Sequence, residues 1–81
     1  MPDDADIDPA LWDALRQARM RMAKEASVPA YIVCGDRSLL DLAVKKPADI
    51  AGMAAVWGFG ERKAERYGQG FIEALASFRR D

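Results

Sequence analysis

Two glycines and the cations that follow them form the stretch of this sequence with the clearest chemistry. Gly58 and Gly60 stand one residue apart, and glycine adopts the positive φ angles of a tight turn without a steric penalty. The next residues predict a short helix, 61–67, which Gly68 closes as a C-terminal cap. Its cations are Arg62, Lys63 and Arg66. Outward backbone N–H groups at a helix start beside these cations suit a small phosphate site, although a plain turn between packed helices fits the glycines too.

Tyr31 is the second candidate binding residue. It lies in the stretch 27–35, which has strand-like composition but no second strand to pair with. We therefore predict an extended to 3₁₀ connector in which Val28, Ile32 and Val33 fill the core. In such a connector the Tyr31 ring can face solvent and stack on an unpaired base. The alternative is that this ring packs inward with its hydroxyl at the rim.

Composition excludes several classes of chemistry. The chain has no histidine and one cysteine, which excludes histidine-based acid–base catalysis and leaves a zinc site only carboxylates as ligands. A GxxxxGK[ST] nucleotide-binding loop is also absent. We therefore predict a module without catalytic residues, metal ligands or cofactors. The single cysteine suits a reducing, cytoplasmic setting, and no apolar run approaches the ~18 residues of a membrane span.

The net charge of −1 divides unevenly along the chain. Four aspartates and no cation lie in the first eight residues, whereas residues 9–81 have twelve Lys or Arg against nine Asp or Glu, a balance of +3. We predict an acidic linker over residues 1–7 and one folded domain over residues 8–81. A balance of +3 is below that of dedicated nucleic-acid binders, so any such binding should be weak and sensitive to salt.

Apolar periodicity predicts an all-α fold of five short helices. Asp8 and Pro9 start the first helix as cap and first residue, while Asp36 and Asp49 cap the second and third. The basic side chains of the first helix, Arg19 among them, fall off its apolar stripe, which favours a solvated face. The predicted helices span residues 9–25, 37–44, 50–56, 61–67 and 69–79.

Three stretches, taken together and in this order, resemble one family. They read L-W-D-A-L-R at 11–16, V-P-A-Y-I-V at 28–33 and G-F-G-E-R-K-A-E-R-Y-G at 58–68. This combination resembles the HRDC domain, the helicase-and-RNase-D C-terminal module, over roughly residues 8–80. The tyrosine before Gly68 and the polar start at Asp36 are more typical of the RecQ helicase branch than of the RNase D branch.

The resemblance implies a compact five-helix bundle with a helix–hairpin–helix-like turn. It further implies an auxiliary C-terminal module of a RecQ-type, ATP-dependent DNA helicase, which weakly binds single-stranded or branched DNA and tunes substrate choice. ATP hydrolysis and unwinding then belong to other domains of the parent. The implied partners are DNA and the helicase core of the same chain, and the isolated domain is expected to be a monomer.

Residue by residue, the resemblance places the DNA-facing aromatic at Tyr31 and the turn at Gly58 and Gly60, followed by Arg62 and Lys63. We expect Tyr31 to stack on a base. Six cations are expected to contact phosphates as far as geometry permits: Arg37, Lys45, Lys46, Arg62, Lys63 and Arg66.

A protein-docking module with little DNA affinity is the alternative. The acidic start of the chain and two candidate exposed aromatics, Trp12 and Trp57, favour it, because aromatic residues are enriched at interface hot spots. This alternative predicts a coherent negative face and binding that survives loss of Arg62 and Lys63. A small nuclease is disfavoured, because the carboxylates near the glycine turn alternate with cations rather than clustering around a metal.

Overall fold

The described part of the chain folds into five helices packed around one core. The computed structural model describes residues 7–80, with side chains up to residue 78, and contains no strand in that part of the chain. The helices are α1 Pro9–Ala26, α2 Ala30–Val33, α3 Asp36–Lys45, α4 Ile50–Ala54 and α5 Gly60–Arg80. The predicted all-α, five-helix fold is confirmed. The predicted acidic linker falls, apart from its last residue, outside the described residues.

The start of α1 follows from its capping residues. The Asp8 carboxylate accepts a hydrogen bond from the Ala10 N–H at 2.9 Å, and Pro9 occupies the first turn, where its missing N–H is no loss. Ile7, which we placed in the linker, is buried in the core. It directly precedes the cap, the position from which an apolar side chain can pack onto the first turn of a helix.

The segment after α1 differs from the predicted connector. Residues Ala30–Val33 form one turn of α-helix, closed by a hydrogen bond from the Cys34 N–H to the Ala30 carbonyl at 3.3 Å. Val33 and Cys34 are fully buried, whereas Ile32, which we expected in the core, is exposed. A helical turn separates neighbouring side chains by about 100°, so Ile32 and Val33 point in different directions.

Of the two caps predicted at the starts of α3 and α4, the first is wrong and the second is confirmed. Asp36 is not a cap: α3 begins at this residue, Gly35 takes the cap position without a side-chain bond, and the Asp36 carboxylate pairs with Arg19 instead. Asp49 caps α4 as predicted, because its Oδ1 accepts from the Gly52 N–H at 2.7 Å.

Gly68 lies within α5, so the predicted helix end at this residue is wrong and the last two predicted helices are one. A Cβ added at Gly68 would lie 3.2 Å from both Ile50 Cδ1 and Met53 Cγ of α4. A Cβ at Gly70 would lie 2.6 Å from the Met22 sulfur of α1. Both glycines therefore permit close helix approach, from α4 on one side of α5 and from α1 on the other.

The core draws on all five helices. Its largest fully buried side chains are Leu11, Leu15, Val33, Cys34, Leu39, Leu42, Met53, Phe71 and Leu75. Phe71 on α5 meets Phe59 edge to face, with 5.8 Å between ring centroids and 73° between planes. Among the described residues, no helix is both long enough and apolar enough to cross a membrane.

The helices α1 and α5 run antiparallel, and this arrangement determines at which end of the bundle the candidate residues lie. Gly70 lies against Met22, while Arg66 shares a surface hollow with Glu25 near the end of α1. The first turn of α5 is therefore at the same end of the bundle as α2, which follows α1. This geometry brings the glycine turn and Tyr31 to one end of the molecule.

Candidate nucleic-acid interface

The glycine turn has the predicted backbone conformation. Gly58 and Gly60 have φ values of 80° and 68°, in the left-handed region that favours glycine. Phe59 between them is buried against Phe71, and its N–H donates to the Val56 carbonyl at 3.0 Å. The phenylalanine anchors the turn in the core, so the flanking glycines must absorb the sharp change in chain direction.

The cations of the first turns of α5 differ in their surroundings. Arg62 is exposed and forms no ion pair with another described residue. Lys63 is half-buried and lies close enough to Cys34 for its charge to act on that thiol. The Arg66 guanidinium lies 5.5 Å from the centroid of the Tyr67 ring, in the hollow that Glu25 also lines. Arg62 and Lys63 are therefore better placed than Arg66 to meet a phosphate.

Tyr31 has the outward orientation that we predicted for it. Its side chain is 70% exposed, although it projects from the helical turn α2 and not from an extended connector. The neighbouring Ile32 is also exposed, so α2 presents an aromatic and an aliphatic side chain together. A flat ring in this position is accessible to a stacking partner.

One face of α3 holds the chain just before the glycine turn. Arg37 lies over the Trp57 ring, with 4.0 Å between the guanidinium carbon and the ring centroid. The Asp41 carboxylate accepts from the Trp57 N–H at 2.8 Å and pairs with Lys45 Nζ at 2.9 Å. Lys45 Nζ also donates to the Ala55 carbonyl at 3.1 Å. We call Arg37, Asp41 and Lys45 the α3 clasp.

Sequence reasoning missed the α3 clasp, although its spacing was visible. Arg37, Asp41 and Lys45 follow one another at four-residue intervals and hence lie on one helix face. We predicted that both cations contact phosphates, and in the structure both also contact the segment 55–57 of their own chain. Trp57 is half-exposed beneath Arg37, and Trp12, the other candidate exposed aromatic, is partly buried against the core.

Lys46 lies apart from Tyr31, Arg62 and Lys63. It is the C-terminal cap of α3, with φ of 47°, and lines a cavity with Asp8 and Leu11 at the start of α1. Tyr31 follows the end of α1, and the 18 residues of that helix span about 27 Å. The structure therefore gathers Tyr31, Arg37, the glycine turn, Arg62 and Lys63 at one end of the bundle, which we call the basic end, and places Lys46 at the other.

The pKa of Asp41 is lowered, so the contribution of the α3 clasp to stability depends on pH. Burial opposes ionisation of this carboxyl, but the hydrogen bond from Trp57 and the bond and charge of Lys45 outweigh it, so its pKa lies below the usual 3.8. Because the folded-state pKa is the lower one, this contribution to stability is full above pH 3.8 and declines as pH falls through the folded value.

We expect Asp41→Asn to lower the free energy of unfolding by about 1 kcal/mol at pH 7, the difference between a charged and a neutral acceptor. The difference between this variant and the unmodified chain should narrow as pH falls below 3.8. Urea unfolding at pH 7 and pH 3 measures it, with Glu65→Gln, at an exposed position without an ion pair to another described residue, as control. A difference that stays constant across this range would contradict the assignment.

Cys34 is not poised for thiol chemistry. Burial raises the pKa of its thiol to about 11, although the positive charges of Arg19 and Lys63 partly offset that rise. The described residues contain no group of three or more His, Cys, Asp or Glu side chains that could hold a metal ion. The polar features of the basic end are an exposed ring, cations and backbone, together with the exposed carboxylates of Asp36 and Glu61.

Comparison with known proteins places these features in a family. The family model of the HRDC domain matches residues 8–75. The ATP-dependent DNA helicase UvrD2 of Mycobacterium tuberculosis H37Rv is 41% identical over 71 residues, which are 88% of this chain and 10% of the helicase. The ATP-dependent DNA helicase RecQ of Pasteurella multocida is 37% identical over 71 residues, which are 88% of this chain and 11% of that protein.

A solved structure agrees with these sequence matches. HRDC domain 3 of D. radiodurans RecQ superposes with a TM-score of 0.81 at 32% identity, covering 96% of this chain and 97% of that domain. The chain spans about a tenth of the length of the two curated helicases named above. The resemblance predicted from three short motifs is thereby confirmed over most of the sequence, and the chain belongs to the HRDC domain family.

Proposed function

We propose that this chain is a non-catalytic accessory domain of an ATP-dependent DNA helicase of the cytoplasm, and that it binds single-stranded or branched DNA weakly and tunes substrate choice. Two relatives that are named ATP-dependent DNA helicases, UvrD2 and RecQ, support the parent activity. ATP hydrolysis and strand separation belong to other parts of that parent. The domain adds contacts with DNA while attached to the helicase core.

The observation that supports DNA binding best is the exposed Tyr31 ring at the same end of the bundle as the glycine turn, Arg62 and Lys63. Stacking on aromatic rings tolerates any base, and cations beside the ring attract the phosphates of the same strand. Arg37 adds a third cation at this end, with its planar group already stacked on Trp57. Such a surface fits an unpaired strand better than a duplex, whose bases are stacked on one another.

A salt titration tests this proposal. If Arg37, Arg62 and Lys63 each neutralise one phosphate, the logarithm of the affinity for single-stranded DNA should fall with the logarithm of the salt concentration at a slope of about −2. Fluorescence anisotropy of a labelled oligonucleotide from low to moderate salt measures that slope. The double substitution Arg62→Ala/Lys63→Ala should make the slope shallower by roughly 1.4.

Lys46→Ala provides the matched control, because it removes one charge at the opposite end of the bundle. We expect the salt slope of Lys46→Ala to equal that of the unmodified chain. A slope near zero for the unmodified chain, or absence of binding at millimolar protein in low salt, would overturn the proposal.

A docking role is the second candidate, and the surface between α4 and α5 favours it. A groove of about 480 Å³ is lined by Ile50, Ala51, Ala54, Glu61, Ala64 and Glu65. The two glutamates are exposed, lie one helical turn apart and form no ion pair with another described residue. This apolar groove with a negative edge suits a helicase-core segment that presents an apolar side chain beside a cation.

The docking role predicts that loss of negative charge weakens binding, whereas the DNA-binding role predicts this effect for loss of positive charge. Titration calorimetry of this chain with the helicase core of its own parent should show binding that Glu61→Gln/Glu65→Gln weakens and Arg62→Ala/Lys63→Ala does not. If both double variants bind the core as the unmodified chain does, the α4–α5 groove is not the docking site. Fluorescence anisotropy of the same two double variants with single-stranded DNA distinguishes the docking role from the DNA-binding role.

A further inference from the structure

We infer that Arg19 is a positioning residue for Tyr31: it fixes the direction of α2 and so presents the Tyr31 ring to DNA. The inference rests on the proposed DNA-binding function and adds a determinant of the same site. The Arg19 side chain is only 12% exposed, whereas the sequence favoured a solvated face. It lies on α1 and contacts the segment that directly follows the short helix α2.

The contacts of Arg19 join α1 to both sides of Gly35. Its Nη1 donates to the Cys34 carbonyl at 3.3 Å, directly after α2, and to Asp36 Oδ1 at 2.8 Å, in the first turn of α3. A planar guanidinium can hold both acceptors because its N–H groups have a fixed geometry. The link between α2 and α3 is therefore tied to a long helix at one point.

The helix α2 needs such a tie more than the other helices do. It has four residues, far fewer than a helix requires for stability on its own, and Pro29 at its start gives it no side-chain cap. Its buried residues Val33 and Cys34 hold one side in the core. The partly buried Ala30 packs against the same core, and the Arg19 contacts add a polar attachment directly after the turn, where they would limit the rotation that swings Tyr31 away from the cations of α5.

The surroundings of Arg19 argue against a role in stability alone. Its Nε is buried and has no hydrogen-bond partner among the described residues, which costs free energy. Its ion-pair partner Asp36 is 80% exposed, so this carboxylate is well solvated even without the pair. An apolar side chain of similar length would avoid the unpaired Nε, so what the guanidinium adds is the geometric link.

A double-mutant cycle with single-stranded DNA tests the inference. Arg19→Met removes the two contacts while keeping a long side chain, and Arg16→Met removes one charge from an exposed position one turn earlier on α1. We expect Arg19→Met to raise Kd by at least about fivefold in the Tyr31 background and by less than about twofold in the Tyr31→Ala background. Arg16→Met should change Kd by less than about twofold, and the salt slope should be the same for all folded variants.

The outcomes separate the alternatives. Circular dichroism at the assay temperature confirms that each variant is folded, and Kd is compared for the folded fraction. A Kd for Arg19→Met like that of the unmodified chain, an equal loss for Arg16→Met, or an additive loss with Tyr31→Ala would each overturn the inference while leaving DNA binding through Tyr31 in place. If Tyr31→Ala itself leaves Kd unchanged, the proposed stacking function fails, and the role of Arg19 fails with it.

Discussion

Replacement of Gly58 by alanine is expected to lower the free energy of unfolding by about 2–5 kcal/mol. An L-residue in the left-handed region costs about 1–2 kcal/mol, and Gly58 has φ of 80°. The new Cβ would also lie 2.5 Å from Ser38 Oγ, and overpacking of a well-packed site adds about 1–3 kcal/mol. Since Ser38 is buried on α3, it has little room to move. Urea unfolding followed by circular dichroism measures the loss.

Two further variants separate backbone strain from steric overlap at Gly58. Gly60→Ala meets the same strain at φ of 68°, but its Cβ has no heavy atom within 4 Å, so we expect a loss of only about 1–2 kcal/mol. Ser38→Ala removes the overlapping oxygen and should recover part of the Gly58→Ala loss when the two are combined. Equal losses for Gly58→Ala and Gly60→Ala would show that Ser38 does not restrict the turn.

Tyr31→Ala is expected to weaken binding of single-stranded DNA by about 5- to 150-fold, the effect of losing ~1–3 kcal/mol of stacking on one base. The free energy of unfolding should change little, because the side chain is 70% exposed and forms no part of the core. Anisotropy titrations and urea unfolding of the same preparations measure both quantities.

Two control variants make the Tyr31 result specific. Tyr31→Phe keeps the ring and should retain most of the affinity, because stacking uses the face of the ring and not the hydroxyl. Met20→Ala removes a second exposed apolar side chain, 64% exposed on α1, and should leave affinity unchanged. A loss for Met20→Ala equal to that for Tyr31→Ala would indicate a general apolar contact and would contradict base stacking.

The parts of the fold that depend on local sequence could be predicted. Asp8 and Asp49 cap their helices within three residues of their own position, so spacing alone identifies them. Gly68 was misread because a glycine that ends a helix and a glycine that admits a neighbouring helix look alike in one sequence. The close approach of Ile50 and Met53, which decides the matter, involves residues distant in the chain.

The features of the candidate site likewise divide into those that local sequence predicts and those that depend on tertiary packing. The positive φ of both turn glycines was predictable from residue types, whereas these left two directions open for Tyr31 and the family resemblance favoured the outward one. The contact of Arg19 with Cys34 and that of Lys45 with Ala55 were not, because each joins residues ten or more positions apart that the fold brings together. Composition identifies the available cations, whereas only tertiary packing shows which of them are occupied.

The α3 clasp has a consequence for the thermodynamics of association. Because Asp41 and Lys45 already hold the Ala55 carbonyl and the Trp57 N–H, the approach to the glycine turn is ordered before any ligand arrives. A preorganised surface loses little conformational entropy on complex formation, so even a few weak contacts can appear almost undiminished in the measured affinity. Loosening the α3 clasp should therefore make the entropy of binding less favourable, even if every residue that touches the ligand is kept.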